Sequence, residues 1–410
     1  MLHLPKKRQP GQFLVRPSRA KRGSCYFQLC LSCKPEIRRS EAERVGADLV
    51  RRRDAAVLAL QRGQTPPAPA NAPDVLVLSP DGGRLQDRAR PVGDRWCEYK
   101  AITVYRITRE ERFREGLRSD PQPEVHWCYA ANLEKRLAIR AKTYHDPEPD
   151  VRTYRATTEK VESFIRIADL EAQQRGLQEA RVVAVTGDGG SFIWRTAAEV
   201  CETRRAHKQA VYEILDVIHA SAHLVTAAKA LQCAKAVAQP ATWLNARLEQ
   251  LWAGQVNPLL SALHESAAQV GPRPQRKKSQ TEAGEPIKEE EAKAEQPVVL
   301  LWRCHDYFEF HRERIRYDLF RRHGLPLYSA HIESAIKQTN QRVKGTEKAW
   351  RISHADEILE LRCQALSEDG RWSSYFNDLR QGRIELPTRQ HMQPLPLPDP
   401  PRSPSTSETN

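Results

Sequence analysis

Two aspartates share one local design. Residues 74–79 run into Pro80-Asp81-Gly82-Gly83, and residues 181–186 run into Gly187-Asp188-Gly189-Gly190. In each case an apolar, β-branched run delivers an aspartate to its end with two glycines behind it. Carboxylates that bind a hard divalent cation must converge from rigid elements, and glycines leave room for the ion, its waters and a phosphate. If both runs are strands of one sheet, Asp81 and Asp188 meet at its edge although 107 residues separate them. A two-ion phosphoryl-transfer site needs a third carboxylate. Glu333 is the candidate, in the first turn of an expected helix that also carries Lys337, Arg342 and Lys344, cations suited to a phosphate backbone. Ordinary readings stand beside these: Asp-Gly-Gly is commonly a turn, and Glu333 with Lys337 is an i,i+4 helix pair.

Other residues could carry chemistry. Asp216 and His219 form an Asp-x-x-His pair, and His223 lies four residues beyond, on the same helix face as His219, where two histidines can share a zinc ion. No third ligand is near in sequence. Glu98 is a further metal-ligand candidate, or a support for Lys100. Cys25, Cys30 and Cys33 could supply three thiolates to zinc, with the usual two-residue gap between the last pair but no evident fourth ligand. Trp243, Trp252 and Trp302 could stack on an unpaired base or fill the core. Tyr307, Phe308 and Phe310 read as core anchors, and some arginines among residues 312–322 are expected to face phosphate.

Positioning these groups requires a folded body, and the composition supplies one. The chain has 410 residues, 40% hydrophobic and 29% charged, with 65 Lys+Arg against 52 Asp+Glu for a net charge of +13. That length allows two or three domains, and the excess of cations points to a polyanion, most commonly nucleic acid. No apolar stretch is long enough to span a membrane and no signal peptide is evident, so a cytoplasmic protein is expected. Nine cysteines, an odd number, suit reduced thiols better than a disulfide framework. Residues 1–35 hold eight Lys/Arg and no acid, a basic arm; residues 40–60 read as an amphipathic helix and 65–73 as a Pro-rich linker. Strands are expected at 74–79, 97–107, 125–131, 181–186 and 211–218, with a helix at 158–170. Helices are expected at 220–238, 241–253, 256–269, 298–322 and 329–343, with disorder over 271–296 and in the last twenty residues.

Several runs together resemble bacterial insertion-sequence transposases, closest to the Kra-type group. They are residues 185–194 around Asp188, residues 213–224 from Glu213 through Asp216, His219 and His223, and residues 324–361. The last reads Tyr328-Ser-Ala-His-Ile-Glu333, Arg342-Val-Lys-Gly-Thr-Glu-Lys-Ala-Trp350 and His354-Ala-Asp-Glu-Ile-Leu-Glu-Leu-Arg362. Residues 76–86 with Trp96-Cys-Glu-Tyr-Lys100 look like the family's first catalytic strand and its neighbour, and the resemblance spans roughly residues 40–375.

It implies a DDE transposase with an α/β, RNase H-like mixed sheet flanked by helices and interrupted by an all-α insertion. Asp81, Asp188 and Glu333 would be the catalytic metal ligands, holding two Mg2+ or Mn2+ ions. Asp216 and His219 would stand just behind them, since similar pairs follow the second aspartate in related transposases. Lys337, Arg342 and Lys344 would bind DNA. The implied organisation is a basic arm and helical segment over 1–72, the first part of the core over 73–220, the helical insertion over 221–299, the Glu-bearing part of the core over 300–387 and a tail over 388–410. Implied partners are double-stranded DNA, as element ends and target, and a second copy of the chain when DNA is bound; the location is the cytoplasm, at the nucleoid.

The chain departs from the family in having Tyr328 and Ala330 where small glycines usually flank the serine. Zinc-binding and helix-turn-helix elements are not recognisable before residue 40, as in a truncated or recombined copy. A decayed transposase that only binds DNA, and a structure-selective nuclease on the same fold, remain the alternatives.

Overall fold

In a computed structural model the chain is described over residues 35–125, 127–131, 133–138, 147–274, 295–344 and 348–386. The basic arm with Cys25, Cys30 and Cys33, residues 275–294 of the expected disordered linker, and the tail lie outside the described residues.

The longest strand is also the one the sequence most understates. β1 (Val75–Asp87) does not stop at Pro80; it runs thirteen residues through Asp81, Gly82 and Gly83. β2 (Trp96–Ile107) holds it in register along its length, from Val75 opposite Ile107 to Gln86 opposite Trp96. Pro80 and the glycines predict a turn locally, but the antiparallel ladder overrides them. Gly83 has a specific reason to be there: a Cβ at that position would fall 2.1 Å from the Tyr99 ring, which crosses the strand. Asp81 therefore sits within a strand and not at the end of one.

Two short strands, β3 (Trp127–Tyr129) and β4 (Arg136–Ala138), pair with each other, so the expected third strand lies off the main sheet. Its place is taken by β5 (Arg152–Thr157), antiparallel to β2. The segment Arg-Thr-Tyr-Arg-Ala-Thr carries no apolar alternation, because its buried Arg155 is neutralised by the carboxylates of Glu171 and Glu360 from elsewhere in the chain. β6 (Val182–Gly187) and β7 (Val211–Leu215) follow, parallel to β1 and to each other. The sheet order is β5-β2-β1-β6-β7, with a two-residue β8 (Ala349–Trp350) pairing parallel to the far end of β1.

Helices cover both faces of this six-stranded mixed sheet. Alternation along β1 sends Leu76 and Leu78 to one side and Val75 and Val77 to the other. The Leu76 side packs against α2 (Val161–Gln174), through Phe164, Ile165 and Ala168, and α3 (Ser191–Val200), through Ala197 and Val200. A short α4 (Glu202–Ala206) leads into β7. The Val75 side carries α5 (Val217–Cys233), α6 (Pro240–Trp252), α7 (Val256–Val270), α8 (Pro297–Phe310) and α9 (Tyr317–Arg322), whose leucines and aromatics form one cluster. The expected continuous helix over 298–322 is broken at His311, where α8 ends. Further along the same face, Leu85, Tyr99 and Ala101 pack against α10 (Ala330–Val343) and α11 (Ile352–Leu366).

The helix expected near the N-terminus is α1 (Pro35–Gln61), which docks on α11: buried Arg53 pairs with Asp356. Its Val45 and Leu49 meet Tyr375 and Phe376 of α12 (Arg371–Arg380). Among the described residues no helix is long and apolar enough to cross a membrane.

Candidate active site

The two aspartates are placed by strand register. β1 and β6 pair from Val75 opposite Val182 to Leu78 opposite Val185. One residue further, the Thr186 hydroxyl donates to Ser79 Oγ at 2.9 Å, across the same 107-residue offset. The ladder ends there; β6 stops at Gly187, and Asp188 follows it beside β1, where its charge acts on Asp81. Each carboxylate has one oxygen held by a backbone N–H just after it: Gly82 N–H, within β1, donates to Asp81 Oδ1 at 2.6 Å, and Gly190 N–H, in the turn after β6, to Asp188 Oδ1 at 3.0 Å. Among the described residues neither aspartate makes an ion pair with Lys or Arg. Burial pushes the Asp81 carboxyl up to about 7, and the charges of Asp188 and Glu333 add to the rise against the opposing Gly82 N–H and His219.

Asp188 opens a turn clamped from behind. Gly189 takes a positive φ of 109°, and a Cβ there would meet the Tyr307 hydroxyl at 2.6 Å. That hydroxyl donates to the Asp188 carbonyl at 3.0 Å. Nothing in the sequence linked Tyr307 to Asp188, because the contact spans 119 residues.

Glu333 arrives on α10, and Asp216 decides where α10 begins. Asp216 caps α5: its Oδ1 accepts from Ile218 N–H at 2.7 Å and His219 N–H at 3.0 Å. Its Oδ2 accepts from the N–H of Ser329 at 2.6 Å and from the Ser329 hydroxyl at 2.8 Å. With 1% of its surface exposed, Asp216 is a buried strut joining the starts of two helices. The strand expected to reach 218 stops at Leu215 for this reason: the cap starts a helix at Val217. The strut sets the first turns of α5 and α10 together, so His219 Nε2 lies 3.5 Å from Glu333 Oε1. The other Glu333 oxygen accepts from Lys337 Nζ at 3.3 Å, the i,i+4 contact of the ordinary reading.

Burial lowers the His219 imidazole, but the charges of Asp216, Asp188, Glu333 and Asp81 outweigh it and leave its pKa above the ordinary value. His219 is thus the group on which all four carboxylates act. Even so, among the described residues no three His, Cys, Asp or Glu side chains are gathered closely enough to hold a metal ion. The convergence of Asp81, Asp188 and Glu333 expected from the sequence is not a ready-made metal cluster, since Glu333 engages His219 and Lys337. The donor chemistry does suit a hard divalent cation: three carboxylates supply oxygen ligands, and Asp81 resists ionising until positive charge compensates its neighbours.

The remaining candidates separate. Glu98 shares the face of Gly82, whose added Cβ would lie 3.0 Å from Glu98 Oε1, and alternation puts Asp81 on the opposite face. His223 is buried, its ring stacked 3.9 Å from that of Tyr307, and burial drives its pKa down to about 3. It serves the core beneath the site. Trp252 and Trp302 are buried, donating to the carbonyls of Gln122 and Gly271, and half-buried Trp243 donates to Ser266, so all three are packing residues. Phe310 departs from expectation: with 49% exposed it is no core anchor, because α8 ends there. Arg321 is fully buried against Asp120 and the Trp252 carbonyl, and Arg314 pairs with Glu213 and covers Trp194, so neither faces phosphate. Lys337 is exposed, and Lys344 lies over the Trp96 ring; the Arg342 side chain lies outside the described residues.

Comparison with family models, with curated proteins and with solved structures finds no significant match to this chain.

Proposed function

We propose that the chain is a DNA transposase of the DDE type, acting by metal-assisted phosphoryl transfer, with Asp81, Asp188 and Glu333 as its acidic residues. The observation that carries this reading is the pairing of β1 with β6, which bear Asp81 and, just past the strand's end, Asp188, with a third acid, Glu333, delivered beside His219 in the first turn of α10. An antiparallel three-strand meander joined to two parallel strands is the arrangement an RNase H-like core calls for, and the run of helices between β7 and Glu333 fits an all-α insertion. Two helix N-termini, those of α5 and α10, begin at the carboxylates, and their dipoles favour an anionic phosphate there.

Two Mg2+ or Mn2+ ions held by the three carboxylates would lower the pKa of an attacking water and stabilise the leaving oxygen. The chain's own residues have distinct tasks. Asp81 is fixed by its strand and Asp188 by its turn, each with one oxygen already oriented. Asp216 and Ser329 hold the first turn of α10, and so Glu333, against His219. His219, whose pKa the neighbouring carboxylates raise against its burial, holds Glu333 in place at 3.5 Å. Lys337, Arg342 and Lys344 on and beyond α10 would hold the DNA backbone, giving affinity without sequence information.

The test is a cleavage and joining assay with purified protein, Mn2+ and the DNA flanking its own gene. Asp188→Asn and Glu333→Gln should each abolish nicking and joining while leaving DNA binding largely intact. Either variant cutting at the wild-type rate removes that residue from the mechanism. One observation favours a second reading, a decayed copy that binds DNA without cutting it: the described residues lack a ready-made metal group. Wild-type binding with no cleavage would select it. Cleavage without joining would select a nuclease.

A further inference from the structure

The β1–β2 hairpin continues past the carboxylates to a second surface. Trp96, at the start of β2, keeps 45% of its surface exposed, and only Phe310 matches it among the large hydrophobic residues described. Burying such a ring would stabilise the fold, so its exposure needs another reason. Asp81 lies opposite Ala101, five β2 residues from Trp96, about 17 Å away at the rise of a strand. α10 covers the same stretch. From Glu333 to Lys344 is eleven residues, about 16 Å at helical rise, and partway along Tyr99 donates to Asn340 Oδ1 at 3.0 Å. At its far end Lys344 Nζ stands over the Trp96 ring, 5.5 Å from its centroid. By alternation Trp96 shares the face of Glu98, opposite Asp81, and Lys344 at the end of α10 reaches its ring from the other side of the strand.

Cations surround that end. Arg88 and Arg90 are exposed and Arg95 half-buried at the hairpin tip, and exposed Lys348 and Arg351 flank β8. Pairing of Gln86 with Ala349 and of Asp87 with Trp350 brings the two groups together. Of the nearby acids among the described residues, buried Asp87 is occupied by the Ala89 N–H and Arg90, leaving Asp94 and Glu98 exposed. An aromatic face set in a cationic field matches the alternation of base and phosphate along a nucleic-acid strand, and a ring can stack only on a base that is unpaired.

We propose that Trp96 and Lys344 form a stacking platform for an unpaired base of the DNA substrate, at the end of α10 remote from Glu333. The proposal rests on the polynucleotide reading of the site. It is tested by fluorescence anisotropy of the full chain with a labelled single-stranded oligothymidylate and with a labelled duplex, alongside the cleavage assay. Trp96→Ala should weaken single-strand binding about tenfold and change duplex binding little, whereas Trp96→Phe retains most of the single-strand affinity. Lys344→Ala should weaken both and reduce the salt dependence by about one phosphate contact. Unchanged single-strand affinity in Trp96→Ala, or an equal loss on duplex, overturns the platform. Wild type that binds single strands through Trp96 yet cleaves nothing supports the platform and sinks the cleavage reading. Cleavage by wild type with full single-strand affinity in Trp96→Ala does the reverse.

Discussion

Asp216 serves two helices with its two oxygens, and both tasks can be removed at once. Asp216→Ala deletes the α5 cap, worth about 0.5–2 kcal/mol, and leaves the buried Ser329 N–H and hydroxyl without their acceptor, a further cost of about 1–3 kcal/mol. Chemical denaturation should show the sum, and a loss under about 0.5 kcal/mol would mean that the strut is not holding α10. Asp81 makes the opposite prediction. Its folded pKa of about 7 exceeds the ordinary 3.8, so the native state binds more protons than the unfolded chain and stability falls as pH rises between those values. Asp81→Asn should therefore stabilise the metal-free protein, with a gain that grows from about pH 4 to pH 7 and then levels. Mn2+ should raise the melting temperature of wild type at pH 8 and not that of Asp81→Asn. A pH-independent effect of the substitution would contradict the repulsion among these acids.

At the scale of elements, α1 is where local reading is least informative. Residues 40–60 read as an amphipathic helix rich in arginine, but nothing local says that one of those arginines is buried. In the fold, Arg53 is 4% exposed and lies among Asp54, Asp356 and Glu360. Gly46 allows α1 to approach α11 so closely that a Cβ would stand 2.6 Å from the Glu357 carbonyl. Asp48 accepts from Tyr375 of α12 at 2.8 Å. Removing residues 1–61 should accordingly leave buried acids without their cation and destabilise the whole body, visible as lost cooperativity in thermal unfolding. A truncated chain that melts like wild type would make α1 a detachable arm. β5 shows the same physics: Arg155 makes a strand look like a loop because its partners, Glu171 and Glu360, lie 16 and 205 residues away.

Across the whole molecule, the count of 65 Lys+Arg overstates the cations available to a ligand. Arg53, Arg155, Arg204, Arg321 and Arg371 are spent inside the fold: four pair with carboxylates, and Arg204 donates to the Leu177 carbonyl. Solvent-facing cations at the hairpin tip and the end of α10 lie on the surface that carries Trp96. Composition could announce an anionic partner but not where it would bind, since a buried and an exposed arginine look alike in sequence.

The sequence by itself determined the apolar strands that become β1, β2 and β6, and with them the two aspartates that follow their apolar runs. It also determined the helix starting after Ser329 and the helical character of the chain beyond His219. These are properties of neighbouring residues, set by periodicity, β-branching and capping. Only the tertiary structure decided that β1 continues through Asp81, because Tyr99 of the paired strand occupies the space over Gly83. It alone decided that β5 joins the sheet and that β3 leaves it. It also brought Glu333 to His219, through hydrogen bonds between Asp216 and Ser329 that span 113 residues. Buried ion pairs and hydrogen bonds of that range leave no periodic trace, because each partner is polar and is buried only once the other is in place.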